Sequence, residues 1–373
     1  MLEIVEVQTK KQRKEFVGLP LRLYKGNPYF VPPLYADEMN VFTSKNIYSK
    51  TCDSVFYLAV RDGVTVGRIQ GIVQKQYNAL KGTKQVRFTR FDSEDDPEIA
   101  SALFAAVEKW AKEKGMTQIV GPLGYSDLER EGLLIEGFEY LSTFEEQYNY
   151  EYYAQLIEAN GYEKDVDWYE YRLFSVLADL DRYQKLFNRA LEKYNLHIAG
   201  EGMNKRAFIK KYGKDIFRCI DECYKDLYGV VPYTPEMQKQ MIDQFMLLLN
   251  KKYIKAVCNE NEEVVAFGLS IPGFGKSLQK SGGRLTPACL VRLLKMVKSP
   301  TTIDFALVGI MPKYRKTGVG AFMISIVADM FAEKNVEYIE TNLTLEENLA
   351  IRTMWKHFEN IQHKRRRCYK KEL

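Results

Sequence analysis

The sequence predicts a two-part α/β protein with mixed rather than purely parallel sheets. Three observations predict it. The chain has 373 residues, and at about 150 residues per domain that length fills two domains. Strands and helices alternate along it, and an apolar hairpin recurs in each half, which puts antiparallel pairs into each sheet. Hydrophobic residues make up 46% and charged residues 28%, the balance of an ordered chain with a sizeable core. The net charge of +5 is too small to demand a nucleic-acid or anionic-membrane partner.

In the first half, Leu2 to Val7 alternates apolar and acidic residues, as an opening strand does. Lys10 to Tyr24 reads as a helix, and Asn27-Pro28 and Pro32-Pro33 break it. Val55 to Val60 and Val64 to Gln74 flank an Asp-Gly turn and read as a hairpin. Val86 to Phe91 is a further strand. Asp92-Ser-Glu-Asp-Asp-Pro97 starts a helix over Ile99 to Lys114, whose Ile99, Leu103, Phe104, Val107, Trp110 and Ala111 share a face. Gln118 to Val120 begins a strand, Tyr152 to Asn160 is a short helix, and Asp167 to Val176 is strand-like.

A similar order then restarts. Helix Leu180 to Tyr194 and strand Leu196 to Ala199 precede helices Lys205 to Tyr228 and Pro235 to Leu249. Tyr253 to Cys258 and Val264 to Ile271 make the second hairpin. An insert over Gly273 to Ser299 carries a helix at Leu290 to Lys298. Strand Ile303 to Ile310, helix Gly318 to Lys334, strand Tyr338 to Leu343, helix Glu347 to His357 and a basic last strand complete the half. The expected domains are 1–177 and 178–373.

The first residues lack the apolar stretch and cleavage site of a signal peptide. The most apolar run, Gly318 to Ala332, is too short to span a membrane. Six Cys without paired spacing and only three His point to reduced thiols in the cytoplasm and to no structural metal.

The run Ile310-Met-Pro-Lys-Tyr-Arg315-Lys-Thr-Gly318-Val-Gly320-Ala321 carries the chemistry. A strand enters it and an apolar helix leaves it. Glycines let backbone approach a ligand, unpaired N–H groups of the first helical turn point outward, and Arg315 and Lys316 add positive charge. That combination suits a pyrophosphate.

Arg315-x-x-Gly318-x-Gly320-Ala321, after a strand ending Val308-Gly-Ile310-Met-Pro312, resembles the coenzyme A loop of the GNAT acyltransferases. Tyr338-Ile-Glu-Thr-Asn342 and the helix opened by Glu347-Asn348-Leu-Ala-Ile351 follow in that family's order. These motifs cover residues 303–358. The first half, with Gly26 to Leu34, Val66-Gly-Arg-Ile69, Gly132 to Gly137 and Tyr148 to Tyr153, is similar to a bacterial group with GNAT-like C-terminal halves.

The resemblance implies two GNAT-like domains in tandem and acyl transfer, acetyl foremost, from acyl-coenzyme A to an amine. The acceptor is a small-molecule or peptide amine. Backbone of Val308 and Ile310 would pair with the acyl-pantetheine arm. Backbone N–H groups of Lys316, Thr317, Gly318, Val319, Gly320 and Ala321, beside Arg315, would hold the pyrophosphate, and Asn348 would contact coenzyme A. Trp355 stands where many members carry a Tyr that protonates the leaving thiolate, and an indole N–H is a poor acid. Asp304 sits where some relatives carry a catalytic Glu. Period-two alternation puts it on the face of Val308 and Ile310, and Glu340 and Asn342 are the alternatives.

The first half has five carboxylates between Asp92 and Glu98 where a phosphate cradle would fall, so it is expected to bind no coenzyme A. Its dense aromatic segment, Tyr140 to Tyr171, reads either as packing or as an acceptor pocket at the domain junction, with Glu136 or Tyr148 as polar handles. Ser270 to Ser277 imitates a phosphate-binding loop but lacks its first Gly. The basic run Lys364 to Lys371 reads as outward-facing strand charge or as a phosphate contact. Three other functions stay open: a non-catalytic acyl-coenzyme A-binding protein, a Fem-type aminoacyl-tRNA-dependent transferase, and a long-chain N-acyltransferase.

Overall fold

The structure, a computed structural model, describes residues 1–246 and 248–373. The elements up to the middle of the chain are β1 (Leu2–Glu6), α1 (Lys10–Leu23), α2 (Tyr35–Asn40), β2 (Cys52–Arg61), β3 (Val64–Gln74), α3 (Lys75–Lys81), β4 (Gln85–Ser93), α4 (Pro97–Glu113), β5 (Gln118–Gly121), β6 (Leu133–Glu136), α5 (Tyr152–Ala159) and β7 (Glu163–Val176). Next come α6 (Leu180–Lys193), β8 (His197–Ile198), α7 (Lys205–Tyr224), α8 (Pro235–Phe245), β9 (Ile254–Cys258), β10 (Val264–Pro272), α9 (Gly275–Gln279) and α10 (Pro287–Lys298). The chain closes with β11 (Thr302–Ile310), α11 (Ala321–Phe331), β12 (Tyr338–Thr341), β13 (Thr344–Leu345), α12 (Leu349–Met354) and β14 (Phe358–Glu372). The helix expected from Pro235 to Leu249 ends at Phe245, and Leu247 lies outside the described residues.

The chain divides into two compact units. One is Met1–Tyr169 with Phe274–Leu290 and His363–Leu373; the other is Glu170–Gly273 with Val291–Gln362.

In the first unit the strands run β1-β2-β3-β4-β5, and the end of β14 lies antiparallel on β5, from Tyr369 opposite Gly121 to Glu372 opposite Gln118. The β2–β3 turn is Asp62-Gly63, both at positive φ (51° and 80°), as a tight hairpin of right-handed strands requires. Asp96 caps α4 by accepting the Glu98 N–H at 2.8 Å, with Pro97 at the first helical position. The apolar face of α4, with Ile99, Leu103, Phe104 and Val107 fully buried, packs on β3. Any Cβ at Gly67 of β3 would fall 2.8 Å from Ile99.

The basic run of β14 is neutralised within this unit. Lys364 and Arg366 are buried on Glu146 at 3.0 and 3.4 Å. Arg365 and Arg367 share Asp167, Lys370 meets Asp165, and Lys371 meets Glu108. The expectation of outward-facing charge fails at Lys364 and Arg366, because the buried Glu146 receives both side chains.

In the second unit the strands run β7-β12-β11-β10-β9-β8. All of these pairs are antiparallel except β11 with β12. Helix α11 is apolar nearly all round, buries Phe322, Met323, Ile324, Ile326, Val327 and Met330, and packs on α6 through Phe322 and Phe187. No described helix is long and apolar enough to cross a membrane.

Candidate functional site

The site is built on β11. This strand pairs with β10 along its length, from Ile303 opposite Pro272 to Ile310 opposite Ala266. Its other edge meets β12 only from Thr302 to Phe305. Beyond Phe305 the two parallel strands part, and Asn342 closes the fork: its N–H donates to the Phe305 carbonyl at 3.2 Å and its Nδ2 to the Ala306 carbonyl at 2.7 Å. Ala306 to Ile310 therefore offers a strand edge that β12 does not cover. An extended ligand arm can add to such an edge. Tyr224, the last residue of α7, reaches into it. The Val308 N–H donates to the Tyr224 hydroxyl at 3.1 Å, and that hydroxyl donates to the Val308 carbonyl at 2.9 Å.

The pairing register of β10 slips between Leu269 and Ser270, which face Leu307 and Phe305, so β11 carries an extra residue at Ala306. This bulge breaks the alternation that was to put Asp304 on one face with Val308 and Ile310. Asp304 is 8% exposed and lies in register beside the buried Glu340. Glu340 accepts from Arg172 at 3.1 Å, and Arg172 stacks on the Tyr338 ring at 3.9 Å. Asp304 and Glu340 are thus two buried carboxylates in register on neighbouring strands.

After β11, a single turn at Pro312–Tyr314 leads into the loop. Gly318 has φ +92°, and a Cβ there would sit 3.2 Å from Leu186 of α6. Gly320 caps α11 at φ −57°, and a Cβ there would meet nothing within 4 Å. The N–H groups of Lys316, Gly318, Val319 and Gly320 have no acceptor among the described residues, whereas Thr317 and Ala321 donate to Tyr314 and Gly318. Val319 is buried and anchors the loop; Lys313, Arg315 and Lys316 are exposed around it. Free N–H groups, a positive rim and open space over Gly320 fit a pyrophosphate. Arg315 itself turns back, donating to the Ile310 carbonyl at 3.1 Å and the Cys223 carbonyl at 3.4 Å. It braces the loop against the ends of β11 and α7. The Cys223 thiol is held below its ordinary value by its contact with Cys219 and then by Arg315.

Asn348 caps α12, its side chain accepting the Ile351 N–H at 3.4 Å. Trp355 follows α12 and is 3% exposed, edge-on to Phe305 at 5.9 Å, and its indole N–H has no partner among the described residues.

The remaining candidates lie in the first unit. Glu136 on β6 is half exposed and paired with Arg365 at 3.1 Å. Tyr148 is 4% exposed in the core, its hydroxyl donating to the Phe138 carbonyl and accepting from Asn27. Tyr153 and Tyr162 belong to the same core, with Tyr150 and Tyr152 against it. The acidic turn is occupied too. Asp92 is buried and accepts from Arg68 at 2.7 Å and Tyr24 at 2.9 Å, and Asp96 pairs with Arg61 at 2.7 Å. Ser270 to Ser277 is the end of β10 running into α9, where a Cβ on Gly275 would lie 2.9 Å from the Ser142 carbonyl. That glycine serves packing.

Reasoning from sequence missed Tyr224 and Leu186. Nothing in Cys223-Tyr224-Lys225 marks a helix end that reaches a strand edge; only the tertiary arrangement does.

No family model matches the sequence. Over 375 residues the chain is 26% identical to protein YghO of Escherichia coli, covering 98% of this chain and 94% of that one. Over 385 residues it is 24% identical to the bacterial ceramide synthase of Caulobacter vibrioides, covering 100% and 98%. Among solved structures, a tandem GNAT protein from the clavulanic acid biosynthesis pathway superposes on all of this chain and 98% of its own, at 12% identity and a TM-score of 0.57. With a strand fork, a glycine loop and an apolar helix in the GNAT order, this chain has the tandem GNAT fold.

Proposed function

We propose that the chain is an acyl-coenzyme A-dependent N-acyltransferase whose acceptor is an amine. The observation that carries the proposal is the junction of the open β11 edge with the loop over Gly318 and Gly320. Gly320 needs neither special backbone geometry nor room for a neighbour. A glycine at such a helix start, beside unpaired N–H groups, is accounted for by a ligand that comes close.

In this reading Val308 and Ile310 offer backbone to the acyl-pantetheine arm. Lys316, Gly318, Val319 and Gly320 offer N–H groups to the pyrophosphate, and Lys313 and Lys316 offer charge. The amine attacks the thioester carbonyl, and the Val308 N–H stabilises the oxygen that becomes negative. Asp304, beside Glu340, is the candidate to take the proton from the ammonium. The first unit, whose acidic turn is spent on Arg68, Tyr24 and Arg61, binds no coenzyme A.

The full-length similarity to a bacterial ceramide synthase supports an acceptor class. A ceramide is an amide of a fatty acid and a long-chain amino alcohol. We therefore place a long acyl donor and a long-chain amino alcohol ahead of acetyl transfer to a small amine. The test is incubation with palmitoyl-coenzyme A or acetyl-coenzyme A and sphinganine, with the amide read by mass spectrometry and free thiol by colour. The expected result is the palmitoyl amide, with one thiol released per amide. Acetyl amide alone would reverse the preference for a long donor. Bound coenzyme A without amide from any amine would favour the second reading, a non-catalytic acyl-coenzyme A-binding protein, which the buried Trp355 supports.

A further inference from the structure

The uncovered edge of β11 presents the carbonyls of Ala306, Val308 and Ile310, and a side chain from a different segment holds each. Asn342 donates to Ala306 at 2.7 Å, Tyr224 to Val308 at 2.9 Å, and Arg315 to Ile310 at 3.1 Å. Among the described residues, Tyr224 is the one of the three that also receives an N–H from the edge, that of Val308 at 3.1 Å. Its hydroxyl thus makes both bonds that an added strand would make to Val308, and an arriving acyl arm must take them over. The three groups differ in acid chemistry. An amide does not ionise and a guanidinium keeps its proton, whereas a phenol ionises near pH 10 and can give one.

A departing coenzyme A sulfur needs such a proton. Trp355 cannot supply it, since its indole N–H is no acid and its ring is buried edge-on to Phe305. A thioester carbonyl that takes the Val308 N–H displaces the Tyr224 hydroxyl by about one hydrogen-bond length. The sulfur is bonded to that same carbonyl carbon, so the displaced hydroxyl remains its neighbour.

We propose that Tyr224 is the catalytic acid that protonates the leaving thiolate; the proposal rests on the N-acyltransferase reading. The amine nitrogen bonds to the carbonyl carbon and the carbonyl electron pair moves to oxygen. When the double bond re-forms, the C–S bond breaks, its electron pair goes to sulfur, and sulfur takes the Tyr224 proton. The ammonium has already given its first proton, by way of Asp304, to solvent; the proton shed by the nitrogen after attack returns to the phenolate. Thioester and amine become amide and thiol, with nothing else consumed.

The test uses the full chain with palmitoyl-coenzyme A and sphinganine. Tyr224→Phe keeps the ring, so coenzyme A affinity is expected to stay within about threefold while kcat falls about 10²-fold. Replacing Tyr224 by 3,5-difluorotyrosine, a more acidic phenol of nearly the same shape, should move the alkaline limb of the kcat profile to lower pH. A merely structural Tyr224 would leave that limb in place. Wild-type kcat in Tyr224→Phe, or an unmoved limb in the fluorinated protein, overturns the assignment while leaving the function intact. A wild-type chain that binds coenzyme A yet acylates no amine overturns the function, and this role with it.

Discussion

Gly318 and Gly320 stand two residues apart and are glycine for different reasons. Gly318 needs its left-handed φ of +92°, and any Cβ would press on Leu186. Gly320 has helical φ and empty space beside it. Gly320→Ala should therefore leave thermal stability nearly unchanged, since its φ suits any residue and the methyl group meets nothing within 4 Å. It should still weaken coenzyme A binding about tenfold or more, because its methyl group enters the cradle. Scanning calorimetry and ligand titration on the same protein read the two effects apart; unchanged affinity would mean that coenzyme A does not bind over Gly320. At Asp304 the expectation is the reverse pattern. Asp304→Asn should lower kcat about 10²-fold with coenzyme A affinity nearly unchanged. Steady-state kinetics with a saturating amine checks it, and normal turnover would move the base elsewhere.

At the scale of elements, the pattern of residues announced the hairpins, α4, β11 and α11, because each has a strong period or turn chemistry. Asp62-Gly63 is the clearest case, where two residues dictate positive φ. The short α2, α3 and β6 carry too few residues for a period and went unread. The bulge at Ala306 was equally silent, since an extra residue shows only when the partner strand is known, and it undid the face assigned to Asp304. The loop was legible because its glycines, basic residues and following helix are contiguous. Tyr224 was not, because it lies 84 residues from Val308. On β14, the pairing of Arg365 and Arg367 with Asp167 was hidden for the same reason. Burial pushes the Asp167 carboxyl up, but hydrogen bonds from Arg367 and Arg365 outweigh it and hold it below the usual range. Asp167→Ala leaves both guanidiniums without that acid and should cost roughly 3 kcal/mol in a urea titration. A loss under about 1 kcal/mol would mean that the strand does not depend on this carboxylate.

At the scale of the whole molecule, the strand edge and loop lie in the second unit, and the first carries the buried ion pairs of Glu38, Asp92 and Glu146. Glu38 accepts three hydrogen bonds from Arg90, at 2.9–3.2 Å. Burial alone would raise its pKa, but Arg90 first, then Arg68 and Arg130, bring it down to about 2. A carboxylate depressed in the folded state gives stability that is fully present above its unfolded value, near 4.5, and is lost as pH falls toward 2. That group should contribute on the order of 3 kcal/mol at neutral pH. Glu38→Gln should flatten the stability profile between pH 4.5 and 2, measured by denaturant unfolding at each pH, and an unchanged slope would contradict it.

The proposed function requires one coenzyme A cradle, in the second unit. Calorimetric titration of the full chain with coenzyme A tests it most directly, with Gly318→Asp as the matched variant. The predicted result is one coenzyme A per chain for the wild type and a loss of affinity of 10²-fold or more in Gly318→Asp, whose side chain brings strain and negative charge to the pyrophosphate. Two sites per chain, no binding, or equal affinity in the variant would contradict it.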